Sequence, residues 1–410
     1  MNMKISRIHF LCNFFLLNFY IVFSQNKISS TDIYSANFAS EKFNSSYSVI
    51  KKNNFITLSF DDLNLLDSDY YYQINHFNHV WEKSNLFKSD YIEGYDDNLI
   101  TNYSNSFNTL VDYKNFKITI PNKNLKFKIS GNYSISVHDD YGNFLFERKF
   151  SILEEKTKIN IEFFKSKNLK NYNSHQNLDI TVNCSNCNNL TGSSSQLKLV
   201  IIKNNQWSNK IVLSEPDFFF DNKLIYKNIS YRGGNEFYYF DNSSINSTNL
   251  RIYKTELKDF YNSYLRKDIE KINDTYNYNP DINGKYLINR SIENYETEND
   301  YSRVFFSFKP IEVFDENKIF IVGDFNNYEI SEKYQLKLEN GIYYGNFLFK
   351  QGFYNYKYCS INSLGEFNLI EPSFWQTENN YTVLLYHKKN TDKYYSLIGF
   401  KEQKSDLIKN

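Results

Sequence analysis

Alanine is nearly missing from this chain. It occurs twice in 410 residues, at Ala36 and Ala39. Alanine is the best helix former, whereas aromatic residues suit the pleated, half-buried surface of a sheet. The chain holds 37 phenylalanines and 36 tyrosines instead, which points to strands. An excess of one charge is also missing. Forty-seven basic residues balance 47 acidic ones, so there is no electrostatic footprint for nucleic acid or for an anionic membrane surface. Long apolar runs are scarce. The run from Ile8 to Phe23 follows Lys4 and Arg7 and is broken by Asn13 and Asn18. It is too short and too polar-spotted to span a bilayer comfortably. It reads as a secretory signal peptide over residues 1–24, cleaved after the small residue Ser24. Losing Lys4 and Arg7 with the leader leaves the mature chain two acidic residues in excess. His9-Phe10-Leu11 is a poor lipobox for Cys12, and no second spanning run follows, so the expectation is an exported protein without a membrane anchor.

Cysteine is scarce too. Cys184 and Cys187 form a C-x-x-C inside Asn183-Cys184-Ser185-Asn186-Cys187-Asn188, a polar loop. A redox pair needs a helix N-terminus to lower its thiol pKa, and a zinc site needs a second pair of ligands. Neither is visible. In an exported chain the pair reads as a local disulfide or inert turn, as two free thiols, or as a functional pair. Cys359, in Tyr356-Lys357-Tyr358-Cys359, reads as a small core residue of a strand.

Catalytic constellations are absent as well. No G-x-S-x-G elbow occurs. His76 and His79 are three apart, so on a strand they face opposite sides and cannot share one metal. Both read as structural. Asn279 to Gly284 faintly resembles the start of a calcium loop, but Arg290 stands where the bidentate Glu is needed. Gly233-Gly234-Asn235-Glu236-Phe237 lacks the helix, Lys and Ser/Thr of a phosphate loop and reads as a turn entering a strand. Carboxylates are plentiful, without a pair marked out for glycoside hydrolysis. No catalytic residue, metal or cofactor is expected.

What is present is period-2 alternation punctuated by turns. It runs over Phe55–Phe60, closed by an Asp61-Asp62 turn, then Tyr70–Phe77, Phe116–Ile120, Tyr133–Val137 and Phe144–Phe146, with Asp139-Asp140-Tyr141-Gly142-Asn143 as a hairpin signature. Residues up to about Lys52 read as a polar lead-in. After the charged link Glu154–Lys158, strands are expected at Ile159–Phe164, Leu178–Val182, Leu197–Ile202, Lys210–Leu213 and Glu236–Phe240. Leu250 to Ile272 reads as a strand with a charged helical turn or loop. A third series begins near Asp300, with Val304–Phe308, Ile319–Val322 and Gly352–Tyr358. The expected fold class is all-β, with antiparallel β-sandwich domains in series at residues 25–154, 155–298 and 299–410.

One stretch resembles a known family. Trp81, Glu93-Gly94-Tyr95, Ser106-Phe107-Asn108-Thr109 and Ser130-Gly131-Asn132-Tyr133 are similar in order and spacing to the N-terminal domain of type 9 secretion system plug proteins of the Bacteroidetes. The glycine pair at Gly233-Gly234, the Asp281–Tyr286 run and Glu378-Asn379-Asn380-Tyr381 extend that resemblance over nearly the whole mature chain. It implies a non-catalytic plug that closes the periplasmic mouth of a large outer-membrane translocon barrel. The implied location is periplasmic, in association with that barrel. The aromatic 81–113 segment then supplies the candidate partner contacts: Trp81, Tyr91, Tyr95, Tyr103, Phe107 and Tyr113, since aromatics dominate interface hot spots. The bland alternative makes Trp81 and Phe107 core anchors.

The third series also resembles glycogen-binding modules of the early-set sandwich class, through Val322–Tyr328 and Gly352–Tyr358. Tyr328 stands where those modules carry one stacking tryptophan, and Glu366-Phe367 roughly where they carry the other. A carbohydrate-binding exported protein is therefore the alternative function.

Overall fold

The computed structural model describes residues 32–39, 47–64, 68–184, 196–312, 318–362 and 365–405. The expected leader, its cleavage position and Cys187 lie outside these residues.

Alternation becomes burial as the strand period requires. Tyr70–Phe77 alternates buried and half-buried residues along its whole length. It pairs with Gly131–Asp139, which pairs in turn with Phe144–Leu153. The hairpin between the last two closes as its sequence indicates. The Asp139 carboxylate accepts from the backbone N–H groups of Tyr141 and Asn143. Against this sheet packs a second one, ordered Ile33–Ala39, Ile56–Asp62, Lys114–Ile120 and Tyr103–Asn105. The two enclose a core around Phe60, Tyr133, Phe146 and Phe150. Two expectations change here. The lead-in contains the strands Ile33–Ala39 and Val49–Lys51. Asp61 and Asp62 do not form a turn but end the strand Ile56–Asp62, fully buried.

The second sandwich sets Thr157–Lys165, His175–Cys184, Lys223–Arg232 and Phe218–Phe220 against Gln206–Leu213, Leu197–Lys203, Asn380–His387 and Ser396–Lys404. A strictly serial division at 298/299 would have kept the last hairpin with the third unit. The pairing places it in the second, because Tyr381, Val383, Leu385 and Ile398 complete the core formed by Ile180, Leu199 and Ile201. Asn380–His387 is buried at every position, since its other face, through Leu384 and Tyr386, packs with Tyr47, Val49 and Leu153. Leu153 pairs in parallel with Leu397, so one sheet runs from the first unit into the second. Cys184 is disulfide-bonded, while Cys359 is free and buried.

The third unit is a single strongly curved sheet. Its main path runs Tyr238–Asp241, Gly352–Ile361, Lys318–Val322, Gln335–Glu339, Ile342–Lys350, Tyr301–Lys309, Tyr261–Leu265 and Ile252–Leu257. It wraps a core of Val304, Phe306, Tyr354 and Tyr356. Of the strand with a charged helical turn or loop expected between Leu250 and Ile272, the strand and the loop form are present and the helical turn is not. The three strands Ile252–Leu257, Tyr261–Leu265 and Asp268–Ile269 occupy that stretch. The α-helices of the described residues, Lys88–Tyr91 and Tyr295–Glu298, are four residues each. None is long and apolar enough to cross a membrane.

Candidate contact surface and the seams behind it

The stretch from Phe87 to Leu110 lies along one side of the first unit. It is held by three strands of three residues each: Ile92–Gly94, Asp97–Leu99 and Tyr103–Asn105. Gly94 sits at φ +119°, and a Cβ there would lie 1.9 Å from the Asn124 carbonyl oxygen. Only glycine permits that approach. Phe87, Tyr95, Leu99, Tyr103, Phe107 and Leu110 are exposed along the strip. Asp90, Glu93, Asp96 and Asp97 are interspersed with them, and the one lysine, Lys88, pairs with Asp96.

The six aromatic candidates divide evenly. Tyr95, Tyr103 and Phe107 are 68%, 54% and 71% exposed, whereas Trp81, Tyr91 and Tyr113 are 4%, 3% and 1% exposed. The second three are therefore corrected from partner contacts to internal ones. Trp81, at φ +67°, packs edge-on against Trp207 of the second unit at 5.5 Å, with Lys149 4.9 Å over its ring. Tyr91 belongs to the first core and rests on His76. The Tyr113 hydroxyl donates to the Asn299 carbonyl at 2.8 Å, and the Lys350 ammonium lies 4.3 Å over its ring. Phe107, the suggested core anchor, keeps its ring in solvent, and its backbone N–H donates to the Thr297 carbonyl.

Behind the strip lies a buried polar seam between the first and third units. Asp61 accepts from Lys350 at 2.7 Å, from the Tyr301 hydroxyl at 2.6 Å and from Asn115 at 2.7 Å. The Asp300 carboxylate takes the backbone N–H groups of Leu110 and Val111. Lys117 pairs with Glu296. A second seam joins the first and second units. The Asn132 amide oxygen accepts from Ser151 and from the Tyr386 hydroxyl, at 2.7 and 2.8 Å. Its amide N–H₂ donates to the Asn78 carbonyl. Asn132 lies in the Ser130–Tyr133 motif, so it carried a sequence signal. Asp61 and Lys350 carried none, because their partners lie hundreds of positions away.

The remaining constellations are structural. His76 is buried beside Tyr91 and Tyr133, with Nδ1 3.0 Å from the Ser84 hydroxyl. Burial lowers its pKa to about 4. Gly131, at φ +140°, would place a Cβ 2.7 Å from His76 Nε2. His79 lies beyond the strand, against Tyr395. Among the described residues no three His, Cys, Asp or Glu side chains could hold a metal together. The Asp281 carboxylate accepts from the Phe237 N–H and shapes the 281–284 turn. Tyr328 is buried with Phe237, Phe320 and Val322, and Phe367 packs against the same group. Of the two positions suggested as sugar-stacking platforms, Tyr328 is thus a core residue, while at the other Phe367 is half-buried against that core and Glu366 is exposed.

The model of a protein family, described as the type 9 secretion system plug protein 1st domain, matches residues 33–154. A crystal structure of a hypothetical protein from Parabacteroides merdae superposes with a TM-score of 0.86 at 24% identity, covering 93% of this chain and 99% of that one. It shares the fold from the first unit to the last. No curated protein matches the chain.

Proposed function

We propose, from the premise that this chain carries the first domain of the type 9 secretion system plug proteins, that it is a non-catalytic plug subunit. In this reading it is exported, works in the periplasm and seals the periplasmic mouth of the system's outer-membrane barrel. The family match to residues 33–154 is the observation that carries the reading.

The seams add a physical argument about what does the sealing. Units joined by small, wet interfaces move relative to one another by default. Here the first unit is held to the third by a buried ion pair and to the second by a continuous sheet and a buried amide. The occluding body is then the whole chain. By size scaling, a unit of about 130 residues has a radius of gyration near ~14 Å, and a chain of about 380 residues near ~21 Å. The larger body covers a correspondingly wider mouth. The exposed, acidic and aromatic strip from Phe87 to Leu110 is the face proposed to meet the barrel.

Deletion tests this. Cells lacking the protein should admit a large glycopeptide antibiotic that the outer membrane otherwise excludes. Removing the barrel as well should restore exclusion, since no pore then remains. Sensitivity that persists without the barrel would mean a general envelope defect and would count against the plug reading.

A further inference from the structure

The outward face of the third unit's sheet carries a groove that the contact surface does not use. Inward side chains of Tyr301–Lys309 and Ile342–Lys350, such as Val304, Phe306 and Phe349, fill the core. The side chains between them form an outward row. Tyr264 stands opposite Phe305, Phe305 opposite Asn346, Ser307 opposite Tyr344, and Tyr344 opposite Lys337. These positions line a cavity of about 620 Å³, within the ~300–1,000 Å³ range of ligand clefts.

One wall is aromatic and fixed in place. Tyr264 and Phe305 stack at 4.4 Å with 17° between their planes. The Tyr264 hydroxyl donates to Glu256, which also pairs with Lys254 and Lys258. Lys254 covers the Tyr264 ring at 4.8 Å. Tyr253 and Tyr344 stay exposed at the groove's borders, 52% and 41%. Leu265, Phe306, Gly345 and Phe347 add further apolar surface, and the remaining lining residues are polar or charged. Ser307, Gln335 and Asn346 supply a hydroxyl and two amides, able to donate and to accept. None of the three side chains is engaged in a hydrogen bond with another described residue. Lys337 and Glu339 carry the only charges of the lining, and they are of opposite sign.

We propose that this groove binds a neutral oligosaccharide of hexose units. The lining excludes the other ligand classes in turn. A phosphate-bearing or carboxylate ligand needs an excess of positive charge, and Lys337 is balanced by Glu339. A purely apolar ligand would strip water from Ser307, Gln335 and Asn346 without repaying their hydrogen bonds. An extended peptide gains its affinity from backbone pairing at a sheet edge, and this is a sheet face. A neutral sugar chain offers what the lining asks for. Its C–H faces cover aromatic rings, and its hydroxyls bridge amide and hydroxyl partners. The groove is separate from Tyr328 and Phe367, so it does not reproduce the glycogen-module arrangement. The inference stands apart from the plug reading, and both hold together without conflict.

The test uses the whole mature chain with cellohexaose and maltohexaose as probes, titrated calorimetrically. Binding of at least one is expected. Tyr344→Ala and Asn346→Ala change exposed side chains, so the fold should survive. Each should weaken that binding at least tenfold, while Phe218→Ala, on an exposed strand of the second unit, should leave it unchanged. Native protein that binds neither probe overturns the proposal. So does binding that survives both Tyr344→Ala and Asn346→Ala.

Discussion

Lys350 donates a 2.7 Å hydrogen bond to Asp61, 289 positions earlier, and neither side chain reaches solvent. An ion pair taken this far out of water is retained only when its remaining hydrogen bonds are satisfied. Tyr301 and Asn115 satisfy those of Asp61, and the Glu296 carbonyl takes a second Lys350 proton. Removing one partner strands the other. Lys350→Met is therefore expected to cost about 3–5 kcal/mol of unfolding free energy. The double variant Asp61→Asn with Lys350→Met should recover much of that loss, because no buried charge is left unpaired. Urea denaturation of the three proteins checks this. A double variant as unstable as Lys350→Met alone would show that the seam depends on shape rather than on charge.

The same seam shows where sequence reading ends. Period-2 alternation placed Tyr70–Phe77 correctly, and turn chemistry placed the hairpin at Asp139–Asn143. Those signals are local. Asp61 looked like turn residue chemistry because Asp-Asp is common in turns, and what buries it is supplied by Lys350 and Tyr301. Asn380–His387 gave no alternation to read, since both of its faces are covered. Its assignment to the second unit was hidden for the same reason. The aromatic strip was legible as a segment, but which of its rings faced solvent was not. Trp81 and Tyr113 face inward because Trp207 and Asn299 come to meet them from other units.

Exposure now separates the six aromatics by experiment. Serine at Tyr95, Tyr103 or Phe107 should leave stability within about 0.5 kcal/mol, as exposed substitutions usually do. Alanine at Trp81 should cost about 3–5 kcal/mol, as truncation of a buried aromatic does. Denaturation curves measure both. The three serine variants combined should also reduce recovery of the barrel in affinity purification from native envelopes. Unchanged recovery would remove this strip from the contact.

Acid should destabilise the protein through His76. Burial lowers its folded pKa to about 4, against roughly 6.5 in the unfolded chain. Between those values the unfolded state binds the extra proton. The stability is therefore present above pH 6.5 and lost as pH falls toward 4, by up to about 3 kcal/mol. Glu236 acts in the opposite sense. Its burial raises the carboxyl to about 7, so the folded state holds the proton and stability declines as pH rises from about 4.5 to 7. Comparing native protein with His76→Asn isolates the imidazole. The variant should start less stable at pH 7.5, having lost the packing on Tyr91 and Tyr133. It should then lose less on acidification. Parallel pH profiles would mean that His76 takes up its proton over the same pH range in the folded and unfolded states.

If the three units act as one body, a covalent bridge between the first and third should not impair sealing. Lys117 and Glu296 pair across that seam, each about a third exposed, so both tolerate replacement by cysteine. Lys117→Cys with Glu296→Cys, joined by a short bifunctional thiol reagent, fixes the first unit to the third. Cys359 is buried and its thiol is pushed above its ordinary range by desolvation, so it should not compete for the reagent. The bridged protein is expected to bind the barrel as tightly as the unbridged one. It should also block solute passage equally in vesicles carrying the purified barrel. A bridged protein that binds but no longer blocks would show that the first unit must swing away from the third to enter the pore. The seam around Asp61 and Lys350 would then be a latch rather than a permanent joint, and Lys350→Met should make entry easier. The present geometry favours the joint, because opening it would break the Lys350–Asp61 ion pair and the Tyr301–Asp61 hydrogen bond together.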